Sequence, residues 1–387
     1  MAQTLSISTQ FESRLEDINK FINDIADRET PFLKMFLDLS NPVDNPKHEW
    51  VNRSLRGFED SLVVAISSTT QTIITVNGGT DTPKAYYDGV TQIRMGTEVM
   101  LVTSTTTVVS NYRRLVITRG YLSTTPSTYL AAAKLRIVGG PRAEGFDADR
   151  DDSEKGVRAY NYSQIFEKQL KISGTALKTN MVENEAEMNR QGALKMKELM
   201  KELEVSLLNN VTRYADSNID NRVAGGFPYW AITAAGNNQD FGGSAISFGL
   251  LEDKIEQYKQ NGGDTNKLCM VVPVRQQRKL NELKETRVVQ GGMNQSENKI
   301  SNYWNVYDFG TTAQVQIYFT NDLFDDEIYF FQKDKIKVRP YAGRQMHHED
   351  LAKVGDSQRE LLVGEYTFEF FNPKETLYRV SNLSTSV

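Results

Sequence analysis

The sequence predicts an α+β fold, and three observations carry that reading. Residues 179–217 form one long amphipathic segment, free of proline, between two stretches of β character. Residues 61–137 turn sharply toward Thr, Val, Ser and Ile, the composition of a small β-module. Near the carboxyl end, strand-length runs at 361–371 and 376–383 flank Asn372-Pro373-Lys374 and are spaced to pair as an antiparallel hairpin.

In chain order, residues 11–27 are the first helix candidate, because Phe11, Leu15, Ile18, Ile22 and Ile25 share a face. Thr30-Pro31 ends it, since proline lacks an amide donor and disfavours helix in the residue before it. Within the β-module, 72–76, 98–102 and 114–118 are strands, with turns at Asn77-Gly78-Gly79 and Asp88-Gly89 that suit a compact barrel or sandwich. Residues 139–156, rich in Asp, Glu, Gly and Pro, read as a solvated connector without the spacing of a calcium loop. Strand character returns at 160–175.

The long segment carries Met188, Gly192, Met196, Leu199, Met200, Leu203, Leu207 and Val211 as a core-facing stripe at three- and four-residue steps. Glu185, Glu187, Lys195, Lys197, Glu198, Lys201, Glu202 and Glu204 are assigned to the opposite, solvated face. A helix over all of 179–217 would approach roughly 50 Å, far beyond the usual three or four turns. Ala224-Gly225-Gly226 breaks the pattern. Helices are then expected at 249–260, closed by Gly262-Gly263, and at 274–284, flanking a strand at 268–272. Further strands follow at 314–320, 328–332 and 336–339, which makes the middle of the chain α/β or α+β.

At 387 residues and 39% apolar content the chain can bury two or three modest cores. One cysteine, Cys269, rules out an intrachain disulfide framework and a cysteine-rich zinc module; its apolar neighbours make it a buried strand residue. No run of eighteen apolar residues and no basic-then-apolar amino terminus occurs, so neither membrane spanning nor secretion is expected, and the expected place of folding is a cytoplasm. The net charge of −5 comes without a dense basic stripe, which argues against tight direct DNA binding.

Catalytic chemistry has little to work with. Of the three histidines, two are adjacent in His347-His348-Glu349-Asp350, the best metal candidate. On a strand neighbouring side chains point to opposite faces, and on a helix they diverge by about 100°, so the pair is badly placed to share one ion. A solvated loop or interface cluster is the plainer reading. No phosphate-binding glycine loop, dinucleotide fingerprint or nucleophile elbow is present, and Asp322, Asp325, Asp326 and Glu327 suit an acidic turn between strands. No catalytic, cofactor-binding or metal-ligating residue is assigned, and no cofactor is expected.

Several stretches, taken in order, carry a resemblance. Val338-Arg339-Pro340, Leu351-Ala352-Lys353-Val354-Gly355-Asp356, Val363-Gly364-Glu365-Tyr366-Thr367-Phe368-Glu369 and Asn372 form a closing pattern. The long helix followed by Arg222 and Gly225-Gly226-Phe227-Pro228-Tyr229-Trp230, then Thr30-Pro31-Phe32 with Trp50, and Val102-Thr103 through Thr118-Arg119-Gly120-Tyr121, complete it. Together these resemble the major capsid proteins of tailed bacteriophages (Caudoviricetes) with the Hong Kong 97 type fold, within them a family whose extended loop carries a β-module. Lys374-Glu375 departs from the small residue such proteins tend to have after the final Asn-Pro.

The resemblance implies an N-terminal arm at 1–55, an extended loop with its inserted β-module at 56–158, a peripheral domain with a spine helix at 159–223, an axial domain at 224–340 and peripheral return strands at 341–387. Arm and extended loop are expected to lack cores of their own and to gain order on neighbouring subunits. The implied function is a structural one, not an enzyme's: self-assembly as hexamers and pentamers into an icosahedral shell enclosing double-stranded DNA, held without sequence-specific binding. Implied partners are other copies of the chain, a portal protein, and scaffold and decoration proteins. No scaffold-like segment precedes the first helix candidate, so assembly guidance is expected to come from a separate protein or to be dispensable. Assembly is expected in the host cytoplasm, the product in the virion, with no membrane. Two other readings stand beside it: an encapsulin-like nanocompartment holding an enzyme cargo, and a metal-dependent hydrolase centred on His347, His348 and Asp350.

Overall fold

The computed structural model describes residues 30–53, 58–77, 87, 91–109, 112–140, 144–145, 156–174, 187–218, 220–286, 306–308, 314–352 and 355–385. The chain divides into two compact units, Arg53–Val157 and the described residues of Met1–Asn52 with Arg158–Val387. The helix expected at 11–27, the turns at Gly78-Gly79 and Asp88-Gly89, and most of the 139–156 connector lie outside the described residues.

The larger unit begins with a short helix that the sequence reading did not anticipate, α1 (Pro31–Phe36), followed by β1 (Lys47–Asn52). Proline is tolerated in the first turn, where its missing amide would have no helical partner anyway. Phe32, Leu33, Phe36 and Trp50 all enter the main core.

The smaller unit is a barrel. Strands β2 (Glu59–Ser61), β3 (Ile73–Val76), β4 (Gln92–Met95), β5 (Glu98–Val109), β6 (Tyr112–Thr118) and β7 (Lys134–Gly139) form one sheet in the order β2-β7-β4-β5-β6-β3. Its two ends meet: Leu62 bridges Val76, Val63 N–H donates to Thr75 O at 2.9 Å, and Asn77 N–H to Ser61 O at 3.0 Å. Closure leaves no open edge along that seam. Every second residue points inward, so Ile74, Val76, Ile93, Met95, Met100, Val102, Leu115, Ile117 and Leu135 fill the interior. The expectation that residues 56–158, read from the sequence as an extended loop, lack a core is therefore corrected. Its alternating apolar residues bury one another once the sheet closes.

In the larger unit the chain continues through β8 (Val157–Tyr162), paired with β1, and β9 (Gln164–Ser173) into the long helix α2 (Glu187–Asn209). At 23 residues α2 measures about 34 Å, and it stops at Asn209 rather than 217. Residues after it form a two-strand hairpin, β10 (Tyr214–Ala215) with β11 (Arg222–Val223). The side chain of Asn210 bonds Ala224 O at 2.8 Å and its carbonyl accepts the Gly226 amide at 3.1 Å, so tertiary partners replace the next helical turn. Val211, assigned to the stripe, is consequently 58% exposed. Met196, Leu199, Met200, Leu203 and Leu207 are buried as expected, but Glu204, assigned to solvent, is fully buried among them.

Two sheets complete this unit. Strands β12 (Asn238–Asp240), β13 (Leu268–Pro273), β14 (Val306–Asp308), β15 (Gln314–Thr320), β16 (Ile328–Gln332) and β20 (Leu377–Ser381) order as β12-β20-β16-β13-β15-β14, with α3 (Phe248–Gln260) and α4 (Val274–Thr286) among the connections. Cys269 and Val271 face the main core, while Leu268, Met270 and Val272 pack with α3, which explains the uninterrupted apolar run of β13. The second sheet is organised by β19 (Ser357–Phe370): β9 lies along one edge, and β17 (Ile336–Pro340) and β18 (His347–Leu351) share the other.

The expected terminal hairpin does not form. Strand β20 pairs with β16 and β12, not with β19. Between them Asn372 takes a left-handed conformation (φ 48°) before the single turn α5 (Pro373–Thr376), which carries the chain from one sheet to the other. Antiparallel potential was satisfied by strands closer in space rather than in sequence.

Candidate functional site

The histidine pair falls on the edge strand β18, not in a loop. His347 Nε2 lies 2.8 Å from Glu349 Oε1 on one face; His348 Nε2 lies 2.7 Å from Glu360 Oε2 on the other. His347 and His348 thus do not converge, as strand geometry requires. His348, Asp350 and Glu360 do come together, with one ligand atom from each within 4.8 Å of the others, because Asp350 and Glu360 are paired across β18 and β19. The Glu360 hydrogen bond holds the His348 imidazole above its ordinary value against the opposing effect of burial. When protonated, the ring forms an ion pair with the buried Glu360 across β18 and β19.

The closing pattern of the sequence builds a row of buried polar groups on β19. Glu365, Thr367 and Glu369 alternate onto one face and are each at most 2% exposed. Glu365 accepts Arg222 Nη2 at 2.6 Å and Ser163 Oγ at 2.5 Å, and Arg344 Nε approaches it at 3.3 Å. Thr367 Oγ1 donates to Tyr162 O at 3.0 Å. Glu369 meets Arg339 Nε at 2.5 Å and His48 Nε2 at 3.4 Å. One strand thereby ties together β1, the β8–β9 junction, β11 and β17. Charges this deeply buried are tolerated only with such partners.

Asn161, fully buried, spends its whole amide on the same framework. Its Nδ2 donates to Gly225 O at 3.0 Å and Phe368 O at 2.8 Å, and its Oδ1 accepts Gly225 N–H at 2.9 Å and Tyr162 N–H at 3.0 Å. Trp50 Nε1 reaches Phe370 O at 3.0 Å, and its ring packs 5.3 Å from Trp230. The Gly225-Gly226 exit of the long helix exists for close approach: a Cβ on Gly225 would fall 2.6 Å from the Tyr229 ring, and one on Gly226 2.7 Å from Ser206 O. Arg213 lies 3.6 Å over Tyr160 and 5.0 Å from Tyr229, a stacked cation that fixes the same corner.

The barrel has its own buried pair. Glu98, fully buried, accepts Arg119 Nε at 2.6 Å and Nη2 at 2.8 Å, with Ser127 N–H at 3.0 Å and Gly120 N–H at 3.3 Å. Arg119 also donates to Ser68 O at 3.1 Å and Ser127 O at 2.5 Å, which fastens two loops to one carboxylate. Burial raises the Glu98 carboxyl, but the Arg119 and backbone hydrogen bonds outweigh it and hold the group below the ordinary range. Arg119-Gly120, quoted above for the resemblance, is half of this device.

The sequence reading missed Glu204, Glu98, Glu360 and Asn161. For Glu204 a signal existed: it sits three or four positions from Met200, Leu207 and Leu208 and so lies inside the apolar stripe. Among the described residues none of these arrangements joins a nucleophile, base and oxyanion donor. All of them serve to hold a framework.

The chain matches the SU10 major capsid protein family over residues 3–384. No curated protein matches it. Among solved structures it is similar to the capsid asymmetric unit of Cyanophage A-1(L), at 10% identity and TM-score 0.47, covering 64% of this chain and 85% of that one. It is similar to the procapsid of satellite phage P4 including its size determination protein, at 10% identity and TM-score 0.46, covering 95% and 92%. It is also similar to an encapsulin complex of Synechococcus elongatus, at 7% identity and TM-score 0.44, covering 60% and 78%.

Proposed function

The chain belongs to the SU10 major capsid protein family, and from that premise we propose that its subunits assemble as hexamers and pentamers into an icosahedral shell around double-stranded DNA. The family is structural and not enzymatic; shell formation from copies of this chain, as a virion component, follows from membership. The match over residues 3–384 is the observation that carries the reading. Identical subunits offer identical patches, and closure saves the contacts an open sheet would leave exposed.

In this reading residues 1–55 are the arm, 56–158 the extended loop, 159–223 with 341–387 the peripheral domain, and 224–340 the axial domain. The separate barrel unit Arg53–Val157 supports the second assignment. Because Phe32, Leu33, Phe36 and Trp50 are already packed in the main core, the part of the arm left to dock on a neighbour is the stretch before Thr30. Portal, scaffold and decoration proteins complete the expected partners, with assembly in the host cytoplasm. The mild charge of −5, without a basic stripe, suits a wall that does not capture phosphates.

Electron microscopy of the purified full-length chain should reveal closed shells, and a chain that stays monomeric at high concentration would overturn the proposal. Shells filled with a cargo protein rather than nucleic acid would point to the nanocompartment. Deleting residues 1–28 should leave a folded subunit, by circular dichroism, that no longer assembles; normal particles from that deletion would remove the arm from the account.

A further inference from the structure

Glu204 is the buried ionisable group that the framework leaves least explained. It lies on α2, fully buried, and its Oε2 accepts the amides of Phe32 at 3.0 Å and Leu33 at 2.9 Å. Its Oε1 is buried with no hydrogen-bond partner among the described residues, and so is Thr30 Oγ1 beside the same turn. Thr30 makes no side-chain cap to α1, so a carboxyl 171 and 172 residues away does that work. Residues 1–29 all connect to the rest of the chain through this point.

We propose that Glu204 is a proton-operated clasp: neutral, it holds the root of the amino-terminal segment on α2, and on losing its proton it loosens that hold.

The charged groups acting on it come from two elements. Asp322, in the turn between β15 and β16, opposes its ionisation, whereas Lys201, one turn back on α2, favours it. Those two are themselves paired at 2.5 Å, so their fields largely offset at Glu204. Glu202 engages Lys168 at 2.5 Å. From α1 come the two backbone amides, which favour the ionised form. Burial is the largest influence and pushes the carboxyl up to about 7. A carboxyl raised in the closed state binds a proton that the opened, hydrated state has already lost. Glu204's contribution to that hold is therefore complete below the ordinary value of 4.5 and is lost as pH rises toward about 7.

The test is hydrogen exchange of the peptide covering residues 30–37 in the full-length chain, corrected for intrinsic pH dependence. Between pH 4.5 and 7 the protection of the Phe32 and Leu33 amides should fall roughly a hundredfold. Glu204→Gln, an uncharged isostere that can still accept both amides, should hold protection flat over that window. Asp322→Asn, which lowers only the closed-state value, should make the wild-type fall smaller and end it at lower pH. Protection that is flat in the wild type, or a fall that survives in Glu204→Gln, overturns the proposal. The readout is local and needs no particle, so its failure would leave the shell reading standing.

Discussion

Replacing Glu98 by alanine is expected to destabilise the barrel by about 3–5 kcal/mol, the cost of leaving one member of a buried ion pair without the other. The Arg119 guanidinium, whose side chain is 5% exposed, would keep its charge and lose two bonds, and the Gly120 and Ser127 amides would lose theirs. Urea unfolding, with hydrogen exchange of Met100 and Val102 in β5 as the local reporter, measures the loss. Replacing both partners by apolar residues of similar volume should recover most of it, because no uncompensated charge then remains. A loss below about 1 kcal/mol would place the pair among inconsequential surface bridges. Acid should act in the same direction. Glu98 is held below its ordinary value, so its contribution is present above the unfolded carboxylate range and disappears as pH falls through the folded value.

Gly226→Ala should be more damaging still, at about 4 kcal/mol or above, in the range reserved for steric conflicts that cannot relax. An added Cβ would sit 2.7 Å from Ser206 O and closer yet to Leu207 O, both backbone carbonyls at the carboxyl end of α2. Backbone there cannot swing aside as a side chain could. It is fixed by the Leu203, Leu207 and Leu208 side chains and by the Asn210 bonds to Gln164 and Ala224. Gly249→Ala is the control: nothing lies within 4 Å of its Cβ, and as the second residue of helix α3 it can take a side chain, so that change should stabilise by about 0.4–1 kcal/mol through the reduced freedom of the unfolded chain. Thermal or urea midpoints for the two variants should move in opposite directions. Equal and small shifts would show that the exit corner is looser than its geometry implies.

Much of the framework was legible from residues alone, and the failures have a common cause. The stripe from Met196 to Leu207, the buried strand around Cys269 and both helices beside it follow local periodicity, which each element carries in its own sequence. The end of α2 was not legible. No proline or glycine marks Asn209; the helix stops because Asn210 finds Ala224 and Gln164. The terminal hairpin failed similarly, since β19 and β20 each found better partners far along the chain. His347 and His348 were rightly separated by strand geometry, yet Glu360, the residue that does meet His348, comes from a neighbouring strand and no spacing rule could supply it.

By itself the sequence determined the α+β class, the long amphipathic helix, the β-module and the order of motifs that places the chain among major capsid proteins. The first three depend on side-chain period and composition, which are properties of contiguous residues; the last is a resemblance of motifs to a known family. Only the tertiary structure decided that the β-module closes on itself through Leu62 and Val76, and that Glu204, Glu98, Glu365 and Glu369 are buried. A carboxylate's surroundings are set by which distant segments pack around it, and desolvation and pairing, the two forces that fix its behaviour, exist only after the chain has folded.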